Sequence, residues 1–522
     1  MVYKILNEKG INMAKYVSQK LLPIFLGIGI LAPAYYIYDA YTKSLTPSVF
    51  ESSANRLGFN GYKKTDQTIN AAQHQEALLK QFQMAGYFQP ENLWHTINHL
   101  GIKDPITTFT KMYSAVKRSK ADQSDPSKFN AKILRKNLGK GTKLDEQDAM
   151  DFLLYTAQNA FGRKPGQERN ELSYQDWMNK YKQDYFEAAK ILRLIDREIP
   201  AHKEYDEAWI AGASRIGVLT RIIDYHYILS KYGIKIKGKT EILGGERGLW
   251  ANIDGITPIV RDKIMEAYKT KSDLDTIDIS LPVGEDKERV EEGKEYITSL
   301  AARYGIKLNP TSPFIQYTTK EDCPPGHFPA RLYPNYAEGE SRKLTETLMS
   351  QDLIATYLPS LNTITTVDTL AEQHQRPTTS STAREAATKF VKRIANGEFG
   401  DQKEFVILYE TNNPYIERQE IATQREVNKV LKAYKLDRSY IIKIEGVGFK
   451  CKQDVATVHS ELAALIAEKW KTATVEEVTP KRPIEKLQFQ TRDNSSITTP
   501  WPDISEVGTG SVFQDFFDEY LS

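Results

Sequence analysis

The chain has 522 residues, 40% of them hydrophobic and 26% charged, with a formal net charge of +2. That length allows more than one domain and the apolar fraction supports real cores, whereas the near-neutral balance gives no reason to expect nucleic acid as a partner. Two cysteines, Cys323 and Cys451, exclude a disulfide-dense scaffold and leave a single bridge or two thiols open.

The segment from Leu21 to Tyr38 reads LLPIFLGIGILAPAYYIY and carries no charge; Lys4, Lys9, Lys15 and Lys20 precede it and Asp39 follows. A basic stretch leading into an apolar one, with Ala32-Pro33-Ala34 as a small-residue cleavage site, reads as an export signal over residues 1–40. The alternative is an uncleaved membrane anchor through residues 21–38, with Tyr35, Tyr36 and Tyr38 at the interface and the body outside. A buried core helix fits less well, because such helices usually show a polar stripe. The expectation is therefore an exported protein, periplasmic or secreted, or one anchored by this segment.

Between about Ser44 and Pro200 the apolar spacing is helical throughout. Leu78, Leu79, Phe82 and Met84 recur over Ala71 to Phe88, and Met150, Phe152, Leu153, Leu154 and Tyr155 over Asp148 to Phe161. Trp177, Tyr181, Tyr185 and Ile191 mark one long helix from Tyr174 to Ile199. Residues 41–203 thus read as an all-helical domain of about five or six helices.

From Tyr205 short apolar runs alternate with helical segments. The runs are Glu207 to Ala213, Lys239 to Gly245, Thr363 to Val367, Phe405 to Tyr409 and Tyr440 to Ile444. Helical patterns lie at Ile216 to Tyr232, Leu344 to Tyr357, Ser381 to Ala395, Tyr415 to Tyr434 and Val455 to Trp470. Such alternation predicts an α/β class, a Rossmann-like five-stranded parallel sheet over residues 204–471. An insertion at about 250–343 interrupts it; its middle, Thr318 to Gly339, contains CPPGHFP and reads as a loop over the sheet. Residues 472–522 read as an extended acidic tail; its end, VFQDFFDEYL, reads as a frayed terminus, with a short docking helix as the alternative.

Chemistry is sought at the strand-to-helix turns, which face the ligand crevice of open α/β sheets. The run KEFVILYETNNPYIERQ, Lys403 to Gln419, is the clearest: a buried strand, a polar turn with Asn412 and Asn413, and Arg418 in the following helix. Two further turns, Gly212-Ala213-Ser214-Arg215 and Gly244-Gly245-Glu246-Arg247-Gly248, offer small residues, helix N-termini and arginines suited to phosphate or carboxylate. Arg376-Pro377-Thr378-Thr379-Ser380-Ser381-Thr382 adds an anion clamp, Arg376, and hydroxyls that serve equally well as helix caps. Glu346, in Leu344-Thr345-Glu346-Thr347-Leu348-Met349, reads either as an ordinary helix residue or as a carboxylate that points back into the site. None of these is a GxGxxG or Walker sequence, and the chain shows no nucleophile elbow, HExxH or glycosidase-like carboxylate pair. His95 and His99 are spaced as a metal pair but lack a third ligand nearby, His327 lies close to Cys323, and His226 reads as a core or boundary residue.

Taken in order, the small-residue turn, GGER, TExxM, RPTTxxT and NNPYxxRQ resemble the YdcF/SanA-like family of Rossmann-like domains, closest to bacterial proteins with RPTT and NPY sequences. The resemblance covers roughly Tyr205 to Lys471. It implies that a GG turn, a Glu-bearing helix and a Thr/Asn-rich turn line the crevice, which maps to Gly244 and Gly245, Glu346, and Thr378, Thr379 and Thr382. It further implies an envelope-related role with a nucleotide-like or other anionic ligand; a nucleotide or an S-adenosylmethionine-like molecule is the cofactor reading. The insertion and the leading helical domain depart from the family pattern.

The expected site thus holds Ser214, Arg215, Gly244, Gly245, Arg247, Arg376, Thr378, Thr379, Thr382, Asn412, Asn413 and Arg418 as ligand-binding residues, and Glu246 or Glu346 as general base. A transferase or hydrolase acting on a phosphate-containing ligand is the matching activity. The rival reading is an interaction or effector protein that binds a protein partner through the helical domain or the tail, with the sheet as scaffold.

Overall fold

The computed structural model describes residues 47–63, 68–161, 172, 175–279, 286–310, 337, 342–370 and 377–475. The export or anchor segment, the CPPGHFP stretch with Cys323 and His327, Arg376 and the acidic aromatic tail lie outside the described residues.

Five strands, β1 (Glu207–Ala211), β2 (Thr240–Gly245), β3 (Thr365–Thr369), β4 (Glu404–Asn412) and β5 (Ile441–Phe449), form one sheet in the order β3-β2-β1-β4-β5. Every neighbouring pair is parallel, with Ile210 opposite both Ile242 and Glu410, Leu243 opposite Val367, and Ile407 opposite Ile444. The chain works outward from β1 through β2 to β3, then returns to the other side of β1 for β4 and β5. This is the α/β, Rossmann-like architecture expected, and its reversal lies between β1 and β4.

β4 and β5 outrun their apolar cores. Pairing continues through Thr411 with Gly448 and Asn412 with Phe449, so two residues read as turn in fact end the strand. Their side chains can be buried there because each is hydrogen-bonded: Thr411 Oγ1 donates to Gln419 Oε1 at 2.6 Å, and Asn412 Oδ1 accepts from Arg221.

Before the sheet stand eight helices among the described residues: α1 (Val49–Arg56), α2 (Ala71–Met84), α3 (Pro90–His99), α4 (Pro105–Ser119), α5 (Ala131–Asn137), α6 (Glu146–Phe161), α7 (Asp176–Lys180) and α8 (Lys182–Ile191). They are more numerous and shorter than anticipated. The long helix read over Tyr174 to Ile199 breaks at Tyr181, whose φ of −112° and ψ of 18° leave helical backbone. A short antiparallel pair, Gly61–Lys63 with Thr68–Asn70, was not foreseen.

Eight more helices follow: α9 (Arg215–Tyr232), α10 (Ala251–Asp254), α11 (Pro258–Thr270), α12 (Lys287–Tyr304), α13 (Glu346–Tyr357), α14 (Thr379–Ala395), α15 (Ile416–Ala433) and α16 (Val455–Val475). The side-chain alternation of the strands sends Ala208, Ile210, Ile242 and Leu408 to one face, where they meet α9, α11, α12 and α13. Trp209, Ala211, Leu243, Ile407 and Tyr409 go to the other, against α14 and α15. The result is a three-layer sandwich. The front half of the insertion is helical and belongs to the first of these layers.

α16 has a different allegiance. Val455, Leu462, Leu465, Ile466 and Trp470 complete the core of the leading helices, and Trp470 Nε1 donates to Asp151 Oδ1 at 3.0 Å. The chain therefore leaves β5, crosses beside α15 and closes the helical half. This brings the end of α16 to the carboxyl edge of the sheet.

Candidate functional site

The carboxyl ends of β1, β2 and β4 open onto a cavity of about 480 Å³. Its floor is the turn after β1, Gly212 to Ser214, with Gly217 one turn into α9, Gly245 at the end of β2, and Pro377 to Ser380 at the start of α14. None of the three glycines here has room for a side chain; the Gly217 Cβ would lie 2.6 Å from Ala213 Cβ. A Cβ on Gly212 would lie 2.1 Å from Glu346 Oε1 and 2.5 Å from the Leu243 carbonyl oxygen, and one on Gly245 would lie 2.6 Å from Pro377 Cβ. The backbone can approach its neighbours, or a ligand, only without side chains there.

Two helices aim their N-termini at the cavity. Ser214 precedes α9 and its hydroxyl makes no capping bond, while Thr378 caps α14 by accepting from the Ser381 amide at 3.3 Å. The first-turn amides of a helix lack partners within it and carry partial positive charge, which favours an anion.

Glu346 opens α13 and is 9% exposed, its Oε2 accepting from Arg247 Nε at 3.3 Å. Burial pushes its carboxyl above the usual range, and the Arg247 guanidinium beside it offsets part of that rise. Arg247 is held in place by Asp254, to whose Oδ2 and Oδ1 it donates at 3.0 and 2.9 Å. Asp254, wholly buried, also accepts from the Trp250 amide at 2.8 Å and the Arg215 amide at 3.1 Å. One carboxylate thus locks the α9 N-terminus, the insertion and the arginine facing Glu346 into a single frame.

The sequence-derived residues divide cleanly by location. Ser214, Gly245, Arg247, Glu346, Thr378, Thr379, Thr382, Asn412 and Arg418 all line the cavity. Arg215 turns away from it: the guanidinium bonds Glu292 at 2.9 and 3.0 Å and stacks on the Tyr296 ring at 3.5 Å. Asn413 likewise faces elsewhere, giving its amide to the Asp196 carbonyl. Gly244 packs under Thr347 rather than under the cavity, a Cβ there meeting Thr347 Oγ1 at 2.9 Å. Glu246 points to Lys343, 3.5 Å away, so of the two carboxylates expected in the site only Glu346 lines the cavity. Arg418 pairs with buried Glu461 at the rim, next to Gln453, Glu468 and Lys471.

Two arginines escaped sequence reading. Arg221, from the middle of α9, donates to the carbonyl oxygens of Ala211 and Gly212 at 2.8 and 2.7 Å and to Asn412 Oδ1. An arginine inside the apolar run IGVLTRIIDYHYIL was the available signal. Arg289, from α12 of the insertion, is 4% exposed and lines the cavity with Asn252 and Ile253. Nothing in the charged stretch KERVEEGKEY distinguishes it.

The histidines are elsewhere. His95 and His99 stack on each other and on Tyr155, with ring centroids 4.1 Å apart for His99 and Tyr155. Among the described residues no group of three or more His, Cys, Asp or Glu side chains could hold a metal ion. No described helix is long and apolar enough to cross a membrane. Cys451 is a free thiol whose pKa burial raises to about 12.

No family model, no curated protein and no solved structure matches the chain.

Proposed function

We propose that the cavity binds an anionic, nucleotide-like small molecule and acts on it as a transferase or hydrolase of a phosphate-containing ligand, with Glu346 as general base. The observation that carries this reading is the charge of the lining at the strand-order reversal. Among the described residues, Arg221, Arg247, Arg289, Arg418 and Lys471 line a space to which Glu346 and Glu468 bring carboxylates, and two helix N-termini add to the positive potential. A scaffold has no need of buried arginines around open space. A nucleotide or an S-adenosylmethionine-like molecule suits the cavity volume, which falls in the range of ordinary small-ligand sites.

The reading keeps the YdcF/SanA-like resemblance as its frame, because Gly245, Glu346, Thr378, Thr379 and Thr382 share one cavity. The envelope-related or exported setting is part of the same proposal and rests on the charge-free segment from Leu21 to Tyr38.

Thermal shift of the full chain against nucleotides, S-adenosylmethionine and sugar phosphates tests it. A ligand at a hundred times its dissociation constant adds about 2.7 kcal/mol. A hit abolished by Ser380→Glu, which puts a carboxylate at the α14 N-terminus, supports the site. A panel without any hit removes the anion-binding reading.

A further inference from the structure

The helical half of the molecule supplies part of the cavity wall. α16 buries Leu465, Ile466 and Trp470 in the core of the leading helices, yet Glu468 and Lys471, on the opposite stripe of the same helix, line the cavity. Ion pairs fix where that stripe lies. Arg418 and Arg425 of α15 stand two turns apart, about 10 Å, and meet Glu461 and Glu468 of α16, which have the same spacing.

Arg425 also reaches the start of α14, where its Nη2 donates to Ser380 Oγ at 3.1 Å. The Glu468 carboxylate is therefore one guanidinium away from the first turn of α14. Three residues earlier, Pro377 packs on Gly245 at the strand ends. The α14 N-terminus thus lies between the inner end of the cavity, where Glu346 stands, and the Glu468 wall.

Glu468 is fitted to accept hydrogen bonds from neutral donors. Its Oε1 takes the Lys471 ammonium at 2.9 Å and its Oε2 takes the Arg425 guanidinium. Burial by itself would raise its carboxyl, but Lys471 and Arg425 more than offset that, so the group stays ionised. An ionised carboxylate offers about four acceptor positions, and the two cations leave room for further donors on the side facing the cavity. A second anionic group is repelled there, whereas a hydroxyl donates to Glu468 and the neighbouring ammonium donates to a hydroxyl oxygen.

Resting on the function proposed above, we infer that the ligand is the phosphate of a sugar or other polyol, with its phosphate at the α14 N-terminus and an adjacent pair of hydroxyls held by Glu468 and Lys471. A ribonucleotide and a simple sugar phosphate both meet this description. Glu468 and Lys471 are specificity-determining residues in this scheme, and the helical half is the part of the protein that reads the sugar.

The test titrates the full chain with matched probes that share a phosphate and differ in their hydroxyls: adenosine monophosphate against its dideoxy analogue, and glycerol phosphate against propyl phosphate. In the wild type the hydroxylated member of at least one pair binds about tenfold or more tightly, the worth of a hydrogen bond to a charged group. Glu468→Gln and Lys471→Met each narrow that gap and leave the affinity of the hydroxyl-free member unchanged. Melting temperature is the folding control, and if Glu468→Gln does not fold, Lys471→Met decides alone. Equal affinities within both pairs, a gap that survives the substitutions, or an equal loss for both members overturns the inference and leaves the anion site standing. Absence of wild-type binding by all four probes overturns the inference together with the reading it rests on.

Discussion

The guanidinium of Arg221 grips Asn412 through two N–H groups, Nε and Nη2, at 3.0 and 2.9 Å from the side-chain oxygen. Its third contact, Nη1, reaches the Ala211 and Gly212 carbonyl oxygens. One residue of α9 thus fastens the ends of β1 and β4 to each other where the strand order reverses. The opening between those strands is held by a planar fork that lysine cannot reproduce.

Arg221→Lys is accordingly expected to be destabilising, by about 2–3 kcal/mol, because several charge-assisted hydrogen bonds are lost and Asn412 is left buried without its partner. The denaturant midpoint should fall with the slope unchanged. A midpoint equal to wild type would show that the fork does not hold the strand ends.

Asp254→Asn should also be destabilising, by about 2–3 kcal/mol, since Arg247 would lose the nearer of two carboxylate partners and keep Glu346. Equilibrium unfolding reads this directly. The same variant releases Arg247 from its frame, so ligand affinity and stability fall together.

Gly212→Ala tests the close approach of Glu346 to the β1 turn. The new methyl would need the space of Glu346 Oε1 and of the Leu243 carbonyl oxygen. Overpacking of this kind costs about 1–3 kcal/mol, visible as a lowered melting temperature. Gly233→Ala is not a suitable control, because its φ of 63° adds strain of a different origin.

The pH dependence has a specific source in Glu410. Both its carboxylate oxygens are wholly buried without a hydrogen bond, and burial next to Asp224 raises its pKa well above that of an ordinary glutamate. A carboxyl whose folded pKa is raised contributes stability that is complete below the unfolded value of 4.5 and is lost as pH rises toward the folded one. Glu410→Gln should remove that loss. The variant is expected to gain on wild type, by about 1–3 kcal/mol, at alkaline pH and to match or trail it in acid. Equal pH profiles of unfolding free energy for the two proteins would contradict the assignment.

Much of the sheet was legible because its strands are buried on both faces and so appear as uninterrupted apolar runs such as Phe405 to Tyr409. The ends were less legible: Thr411 and Asn412 look like turn residues and become strand only through partners eight residues onward, at Gln419, and far back, at Arg221. Glycine and hydroxyl residues at the turns pointed to Gly245, Thr378 and Thr379, although Thr378 is also the cap of α14. Charge was a poorer guide. Arg215 looked like a clamp, yet the first helical residue of α9 directs its side chain to Glu292 and Tyr296. Arg289 gave no sign, because a surface-like charged helix is buried only once α10 and α12 fold onto each other.

The most direct test of the account is isothermal titration of an anionic ligand, found by the thermal panel, into wild type, Thr379→Asp and Glu346→Gln. The account predicts that Thr379→Asp abolishes binding, that Glu346→Gln binds at least as tightly as wild type, and that only wild type turns the ligand over. Binding to Thr379→Asp with wild-type affinity would place the anion elsewhere and contradict the assignment of this cavity as the site.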